Sequence, residues 1–171
     1  MTKLIAFDTS AAHCAAALIV GDDVVTRVDA MAKGQAEHLI PMLEHMLADA
    51  GLAWRDLDGI GVGTGPGNFT GIRISVAAAR GLALGLGKKA IGVNTFAAQV
   101  RGHKRPLNVA LPAPRGQHYV RKYRDPLPPE TSIYDADRAL PTVIDLKDPH
   151  DLIADMARIA VSLLDQPNYP A

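Results

Sequence analysis

The sequence predicts an α/β fold, because short apolar segments with strand character alternate with two long apolar helices over the first hundred residues. Three strands come first, and a helix, a fourth strand, a second helix and a fifth strand follow. Strands that alternate with helices in this way are typical of a sheet covered by helices. The pattern therefore predicts a layered α/β domain over residues 1–101.

The three opening strands are predicted at 3–8, 14–20 and 24–30, where apolar residues are bounded by polar turns. Gly21-Asp22-Asp23 separates the second strand from the third and is typical of a hairpin turn. Asp8-Thr9-Ser10 lies in the first turn, at the end of the first strand.

Two helices are predicted at 36–50 and 70–86. The first ends before Gly51, a residue type favoured just beyond a helix. The second has Arg73 and Arg80 as its only charged residues, and Gly81 and Gly85 within it indicate very close helix packing. Helices that are apolar on most sides predict a protein partner, and cover by the rest of the chain is the alternative. The predicted partner interface comprises Leu39, Met42, Leu43, Met46, Arg73, Val76, Ala77, Arg80 and Leu84.

Another strand is expected at 90–93, followed by a short helix that Asn94 or Thr95 can cap. The composition then changes: ten of the twelve prolines lie at or beyond Pro106. This change predicts a second domain over 107–171. Strands are expected at 107–111 and 118–123, followed by proline-rich loops such as 127–129. A closing helix begins at Asp148-Pro149, where the aspartate suits the N-cap and the proline suits the first turn.

The charge balance limits the partners that the chain can bind. Eighteen basic and eighteen acidic residues cancel, so no basic field is available for a phosphate backbone. We expect tRNA to be contacted only indirectly. The basic residues of 101–105, with Arg121, Lys122 and Arg124, are expected to form a solvated rim, with an RNA surface as the alternative.

The compartment is predicted from what the sequence does not contain. Cys14 is the single cysteine, so it forms no internal disulfide and is expected to be a buried small residue in a strand. No signal peptide is visible, and no run approaches the ~20 apolar residues of a membrane span. We therefore expect a cytoplasmic protein with no membrane contact.

The glycine-rich turn Gly65–Gly71 lies between the strand at 59–63 and the helix at 70–86. Such a turn lets the backbone bend tightly and leaves amides at a helix N-terminus, where an anion is favoured. The alternative is that the glycines only allow close packing of strand and helix. The spacing fits neither the P-loop nor the dinucleotide-binding pattern. The candidate phosphate contacts are Asp8, Thr9, Ser10, Gly65, Gly67 and Thr70.

The full string of this turn, GPGNFTGIRIS, resembles GPGSFTGLRIG, the signature of the TsaB (YeaZ) family. The segments 4–10, 14–18 and 92–95 also resemble that family, so the similarity covers roughly the first hundred residues. TsaB is the non-catalytic partner in bacterial synthesis of threonylcarbamoyladenosine on tRNA. The resemblance implies an actin-like (ASKHA, ribonuclease H-like) domain at 1–101 and a shortened second domain at 107–171.

The same resemblance implies that the chain lacks a catalytic metal. The catalytic relative, TsaD, carries V-N-H-x-x-x-H where this chain has Thr95 and Gln99 in the positions of the two histidines. Neither side chain is a good ligand for a transition metal. No catalytic residue is assigned. The D-x-G-T turn of actin-like ATPases also lacks its glycine here, which makes close approach of a phosphate to Asp8 harder.

The second half departs further from the family. The acidic D-A-R-x-G-E-V-Y hairpin of the family is replaced by 112–119, in which Arg115, Gly116 and Tyr119 match while the two acids do not. Residues 168–171 only partly resemble the family's terminal P-x-Y-x-R. These departures put in doubt any function that needs a complete second domain.

The resemblance implies a scaffold subunit that binds a TsaD homologue, with a TsaE-type ATPase in the larger complex. A homodimer through the same helices is expected when the chain is alone, and ATP or ADP with magnesium is a candidate at the partner interface. The alternative is a small actin-like ATPase or metabolite kinase that uses Asp8 and the 65–71 turn. A tRNA-binding module is a third hypothesis, which the zero net charge disfavours.

Overall fold

Two sheets and four helices make up the computed structural model, which describes residues 1–135 and 137–166. The predicted strands and helices of the first hundred residues are all present. The first sheet and its helices consist of β1 (Lys3–Asp8), β2 (His13–Val20), β3 (Asp23–Ala30), α1 (Gln35–Asp49), β4 (Gly59–Gly63), α2 (Phe69–Leu86), β5 (Lys89–Val93) and α3 (Thr95–Val100). The remainder consists of β6 (Leu107–Ala113), β7 (Gln117–Arg124), β8 (Leu127–Asp135) and α4 (Pro149–Leu164).

The first sheet has the strand order β3-β2-β1-β4-β5. The strands β1, β2 and β3 are antiparallel neighbours, whereas β4 and β5 run parallel to β1. The carboxyl ends of β1, β4 and β5 therefore meet at one edge of the sheet. This arrangement is the one expected for half of an actin-like protein, and it brings the turns after Asp8, Gly63 and Val93 together.

Helices cover both faces of the first sheet. On one face α1 and α2 pack on Ile5, Phe7 and Ile60, in a core that also contains Leu39 and Leu43 of α1. On the other face α4 packs on the side chains of the alternate positions of β1, β2 and β5. The sequence placed α4 in the second domain. The structure corrects that assignment, because its buried residues, such as Met156 and Ala157, complete the core of the first sheet.

The second sheet is a three-stranded antiparallel meander with the order β6-β7-β8. Its core side packs on α3 through Phe96 and Leu107. The prediction of proline-rich loops at 127–129 was wrong, because this segment forms the edge strand β8. Prolines are tolerated there because an edge strand has one side without ladder hydrogen bonds, and a register shift between Lys122 and Arg124 lies opposite Pro128 and Pro129.

Local side-chain bonds fix where the helices begin and end. The side-chain oxygen of Asn68 accepts from Gly71 N and begins α2, and Gly87 ends that helix in the left-handed region at φ 63°. Asn94 rather than Thr95 caps α3, and Asp148 caps α4 as predicted. The comparison of 168–171 with the family's terminus lies outside the described residues.

Helix α2 is, within 1–135 and 137–166, the one helix long and apolar enough to cross a membrane, with a mean hydropathy of 1.3 over 18 residues. The prediction that no segment approaches that length and composition was therefore wrong. In this fold α2 connects the adjacent parallel strands β4 and β5 and packs on the sheet. One helix of this kind is weak evidence for a membrane span, since core helices have the same length and composition.

Candidate functional site

The turn after β1 is closed by its own side chains. The carboxylate oxygen Oδ2 of Asp8 accepts hydrogen bonds from Ser10 N at 3.1 Å and from Ser10 Oγ at 2.8 Å. The other oxygen, Oδ1, is buried and has no hydrogen-bond partner within the described part of the chain. A ring nitrogen of His13 lies 3.9 Å from Oδ2. Asp8 is therefore a buried acid with one oxygen in use and one unpaired.

The glycine-rich turn packs directly on this first turn. Asn68 N donates to Ser10 O at 2.7 Å, and the hydroxyl of Thr9 donates to Gly71 O at 2.6 Å. A Cβ atom at Gly71 would lie 1.9 Å from the carbonyl oxygen of Thr9, and one at Gly67 would lie 2.6 Å from that of Ser10. Only glycine allows the two backbones to approach this closely.

This packing supports the interpretation that the glycines allow close packing. The amides of Ser10, Asn68 and Gly71 are all bonded within the two turns, as donors to Asp8, Ser10 and Asn68 respectively. A nucleotide phosphate would need such amides to be free. The residues present therefore do not fit a phosphate in the way the actin-like fold implies, and the geometry favours close packing. Of the other candidate contacts, Gly65 accepts from Thr95 N at 2.9 Å, and Thr70 lies exposed in the first turn of α2.

A cleft of about 490 Å³ opens at the carboxyl ends of β1, β4 and β5. Its floor is the turn of Asp8 and Ser10 with Thr95 of α3, and its walls are mostly apolar. This edge of a parallel sheet is where ligands bind in many α/β proteins. The lining residues are Asp8, Ser10, Ala11, His13, Pro66, Gly67, Asn68, Thr95, Gln99, Leu111, Pro112, Ala113, Pro114, Leu146, Lys147, Pro149 and Leu152.

Of the two positions that the family resemblance compares with metal ligands, Gln99 has a structural contact and Thr95 has an unpaired hydroxyl. The Gln99 side-chain oxygen accepts from Lys147 N at 2.9 Å, and the hydroxyl of Thr95 is buried without a partner inside the described ranges. No three His, Cys, Asp or Glu side chains among those residues converge as a metal-binding group. The side chains of Thr95 and Gln99 are poor ligands for a transition metal, so these positions do not fit the metal site that the resemblance implies for TsaD.

An ion cluster centred on the buried carboxylate of Asp155 joins α3, α4 and the segment before α4. Asp155 is paired with Arg101 at 2.8 Å, with Arg158 at 3.1 Å and with Lys147. The Lys147 ammonium also donates to Ala98 O and Arg101 O. Burial acts to raise the pKa of Asp155, but hydrogen bonds from Lys147 and Arg158 and the charge of Arg101 outweigh burial and lower it. Asp155 therefore stays ionised.

Four of the nine predicted interface residues are not available to a partner. Leu39, Met42, Leu43 and Met46 are at most 6% exposed and pack on the sheet from α1. The prediction placed them at the surface because α1 is apolar on more than one side. The structure shows that this broad stripe is needed where α1 meets both the sheet and α2.

Four of the five predicted residues of α2 lie on its outer side, and the fifth, Val76, packs against the core under the helix. Arg73, Ala77, Arg80 and Leu84 are exposed, and Leu84 is 86% exposed. Val76 is half-buried. Phe69, which the sequence did not single out, is 65% exposed and lies under the guanidinium of Arg73 at 3.8 Å. A Cβ atom at Gly81 or Gly85 would meet nothing within 4 Å, so the expected close packing at these glycines does not occur inside the chain.

The basic residues expected to form a solvated rim are mostly engaged within the chain. Arg101 pairs with Asp155, and Arg105 pairs with Asp125 at 2.9 Å. Arg121 lies 5.5 Å from the ring centre of Phe96. These contacts give three of the basic residues partners within the chain.

Cys14 is fully buried, as predicted, and burial raises the pKa of its thiol to about 11. A thiol that remains protonated at neutral pH is a poor nucleophile. The carboxylates of Asp56 and Asp58 accept hydrogen bonds from the backbone amides of Ala53 and Lys3.

Sequence reasoning missed Lys147, Asp155 and Gly63. A Cβ atom at Gly63 would lie 2.1 Å from Oδ1 of Asp8, so this glycine makes room for the buried acid. Asp155 could have been identified from the sequence, because it is a charged residue on the apolar face of the closing helix, between Ile153 and Met156. Such a residue is rarely buried unless it is paired.

Comparison with known proteins identifies the family. A family model described as TsaD, tRNA N6-adenosine threonylcarbamoyltransferase, matches residues 29–126. The tRNA threonylcarbamoyladenosine biosynthesis protein TsaB of Escherichia coli is 30% identical over 127 residues, which are 71% of this chain and 55% of the relative. The Haemophilus influenzae protein of the same name is 31% identical over 98 residues, 57% of this chain and 42% of the relative. The chain thus spans about half the length of these curated relatives.

The solved structures agree with the fold. YeaZ from Pseudomonas aeruginosa matches with a TM-score of 0.75 at 23% identity, over 95% of this chain and 93% of that chain. This likeness concerns the fold, whereas the family model and the curated relatives show the family. The chain belongs to the TsaB (YeaZ) family of tRNA threonylcarbamoyladenosine biosynthesis proteins.

Proposed function

We propose that this chain is a non-catalytic subunit in the synthesis of threonylcarbamoyladenosine on tRNA, and that it acts by binding a TsaD homologue in the cytoplasm. The observation that carries the proposal is the outer side of α2, where Phe69 and Leu84 are 65% and 86% exposed. Large apolar side chains exposed together on one helix mark interaction surfaces. We call this side the α2 surface; its residues are Phe69, Arg73, Ala77, Arg80, Gly81 and Leu84.

The glycines of α2 support the same proposal. Gly81 lowers helix stability by about 1 kcal/mol relative to alanine, and a Cβ atom at this position would meet nothing within 4 Å in the described part of the chain. A glycine on an exposed helix lets a partner helix approach closely. The α2 surface therefore suits a helix of the partner, and α1 lies beside it with Glu37 and Glu44 exposed.

The same surface suits a second copy of the chain when the partner is absent. The exposed acids of α1 and the exposed Arg73 and Arg80 of α2 lie on one side of the molecule. A two-fold axis brings such a patch onto itself, so that acids of one copy face arginines of the other. We expect the heterodimer to replace this homodimer.

The non-catalytic role is supported by the residues of the cleft. Thr95 and Gln99 stand where the catalytic relative has its metal ligands, and the amides near Asp8 are bonded within the chain. These features also disfavour an ATPase or kinase. ATP or ADP with magnesium at the partner interface stays a prediction, which calorimetry on the mixed subunits tests. A TsaE-type ATPase is the further partner expected, with tRNA contacted through the other subunits.

Light scattering coupled to size-exclusion chromatography tests the proposal, with the chain alone and mixed with the TsaD homologue of the same organism. We expect a homodimer alone and a one-to-one complex in the mixture. Leu84→Glu and Ala77→Glu should abolish assembly, because each places a charge on the α2 surface. Ser162→Glu is the matched control, since Ser162 is exposed on α4, which covers the opposite face of the first sheet. Normal complexes formed by both α2 variants would refute the proposal.

A further inference from the structure

The zero net charge of the chain conceals a segregation of charge along the sequence. Between Asp58 and Asp125 there are eleven lysines and arginines and no acidic residue. The eighteen acids all lie at these two positions or outside them. Helix α2 belongs to the basic part, so its charged side chains, Arg73 and Arg80, have no acid close to them in sequence.

The two arginines of α2 also lack an acidic partner in the folded chain. Both are exposed, and neither forms an ion pair within residues 1–135 and 137–166. The guanidinium of Arg73 lies over the ring of Phe69 instead, at 3.8 Å from the ring centre. Arg101 and Arg105, by contrast, are paired with acids of the chain. The positive charge of the α2 surface can therefore pair with acids of a second molecule.

The spacing of the two arginines defines what can face them. Seven residues are almost two helical turns, so Arg73 and Arg80 lie on one side of α2, about 10 Å apart along its axis. Ala77 lies exposed between them and Leu84 lies exposed one turn beyond, so cations alternate with apolar residues. A helix with acids seven residues apart, and small or apolar residues between them, matches this surface.

A groove of about 840 Å³ continues the α2 surface at the carboxyl end of the helix. Arg80 and Leu84 line the groove from the helix, and Lys88 lines it beyond the helix end. No acid is among the described residues that line this groove. The groove therefore repeats the combination of positive charge and apolar contact found along α2.

A phosphate backbone is another common anion, but the neighbouring helix disfavours it. Glu37 and Glu44 are exposed on α1, which packs beside α2 and contains no lysine or arginine. Nucleic acids bind where several cations neutralise successive phosphates, and these acids would repel such a chain. The exposed side chain of Leu84 also offers apolar contact, which phosphates do not use. The surface thus favours an acidic protein helix over RNA.

We propose that the α2 surface selects an acidic helix of the TsaD homologue, in which acids seven residues apart pair with Arg73 and Arg80. This inference rests on the proposed function, because it specifies the chemistry of the same interface. Glu37 and Glu44 of α1 have the same spacing, so a second copy of the chain presents such a helix in the homodimer. The partner and the second copy then compete for the same two arginines. Charge pairs of this kind determine specificity and the rate of association.

Substitutions that differ only in the sign of the charge test this inference. Calorimetry measures binding of the TsaD homologue to the full chain in about 0.05 M and about 0.5 M salt. Arg80→Glu should weaken binding about a hundredfold, because a like charge then faces the acids, whereas Arg80→Lys should weaken it less than about tenfold. Leu84→Lys should bind at least about tenfold more tightly than Leu84→Glu. Binding by the original chain should weaken about tenfold at the higher salt concentration.

Ser162→Glu and Ser162→Lys are the matched controls, because Ser162 is exposed on α4, which covers the opposite face of the first sheet. Both should bind as the original chain does, and circular dichroism checks that every variant is folded. Equal binding within the Arg80 pair and within the Leu84 pair would overturn the acidic helix but leave the proposed function intact. Absence of binding by the original chain would refute both. Binding of tRNA that Arg80→Glu abolishes would also overturn the inference, because the α2 surface would then serve RNA.

Discussion

At the scale of single residues, the carboxylate of Asp155 forms ion pairs with three basic side chains. It lies on α4, 7% exposed, and it holds Lys147 together with Arg101 and Arg158. Removing a buried charge leaves its partners unpaired. The resulting loss of stability is larger than the net stabilisation that the pair provides. We expect Asp155→Asn to lower the free energy of unfolding by about 2–3 kcal/mol, measured by urea denaturation.

The pH dependence of this variant gives a second test. The pKa of Asp155 is lowered from its ordinary value of 3.8, so its contribution is present above that value and is lost as pH falls through the folded pKa. The difference between Asp155→Asn and the original chain should therefore be constant at neutral pH and shrink below about pH 4. A difference that grows on acidification would contradict the ion-pair explanation.

Two glycines of α2, Gly71 and Gly81, give a matched pair of substitutions. Gly71→Ala places a Cβ atom 1.9 Å from the carbonyl oxygen of Thr9, so the two turns must separate. We expect a loss of about 3 kcal/mol or more in the free energy of unfolding. Gly81→Ala, where a Cβ atom meets nothing within 4 Å, should instead stabilise the chain by up to about 1 kcal/mol. Thermal denaturation compares the two, and similar losses for both would be inconsistent with this packing.

The residues also show where sequence reasoning stopped. The 65–71 turn and the Asp8 turn were each predicted, because glycines and polar residues mark turns in one stretch of chain. That the two turns bond to each other was not predictable, since it depends on strands β1 and β4 being neighbours. The same holds for Lys147 and Gln99, which are 48 positions apart and meet through a single backbone amide.

At the scale of helices and strands, α1 separates residues that hold the fold from residues that a partner can reach. Leu43 is fully buried, whereas the adjacent Glu44 is exposed. We expect Leu43→Lys to unfold the chain, because a buried ammonium without a partner costs several kcal/mol. Glu44→Lys should leave the free energy of unfolding within about 0.5 kcal/mol of the original value and should weaken self-association. Urea denaturation and light scattering measure the two effects separately.

Elements were predicted well where the pattern is local and poorly where it is not. The three opening strands, α1 and α2 lie within one or two residues of their predicted bounds, and α4 begins at Pro149 as predicted, since periodicity and caps define them. Strand β8 was missed because prolines argue against a strand unless its position at the edge is known. The outer side of α2 was predicted to be exposed, and it is exposed. The burial of Leu39 and Leu43 was not predicted, because it depends on how α1 is rotated against the sheet.

At the scale of the whole molecule, α4 connects the end of the described chain to its beginning. It follows the second sheet in sequence, yet it covers Leu4, Ala6 and Ile91 of the first sheet. The buried pairs of Asp155 then join it to Lys147 and to Arg101 beyond α3. The two predicted domains are therefore interleaved, which sequence composition alone could not indicate because the closing helix adjoins the proline-rich part.

This interleaving predicts that residues 1–101 do not fold alone. Without α4, one face of the first sheet would expose Leu4, Ile19 and Ile91, which are 4% exposed or less in the structure. We expect this fragment to show poorly dispersed nuclear magnetic resonance spectra and to aggregate. Joining residues 145–166 to it through a flexible glycine–serine linker should restore a folded sheet, because α4 then covers the open face.

The variant of that fusion with Met156→Lys is the control, because Met156 is 1% exposed against the sheet. It should fail to restore folding, whereas Ser162→Lys, on the exposed side of α4, should succeed. Well-dispersed spectra from residues 1–101 alone would instead mean that the first sheet is independent of α4. The domain boundary near residue 102 would then describe a true folding unit, and α4 would only dock on a sheet already formed.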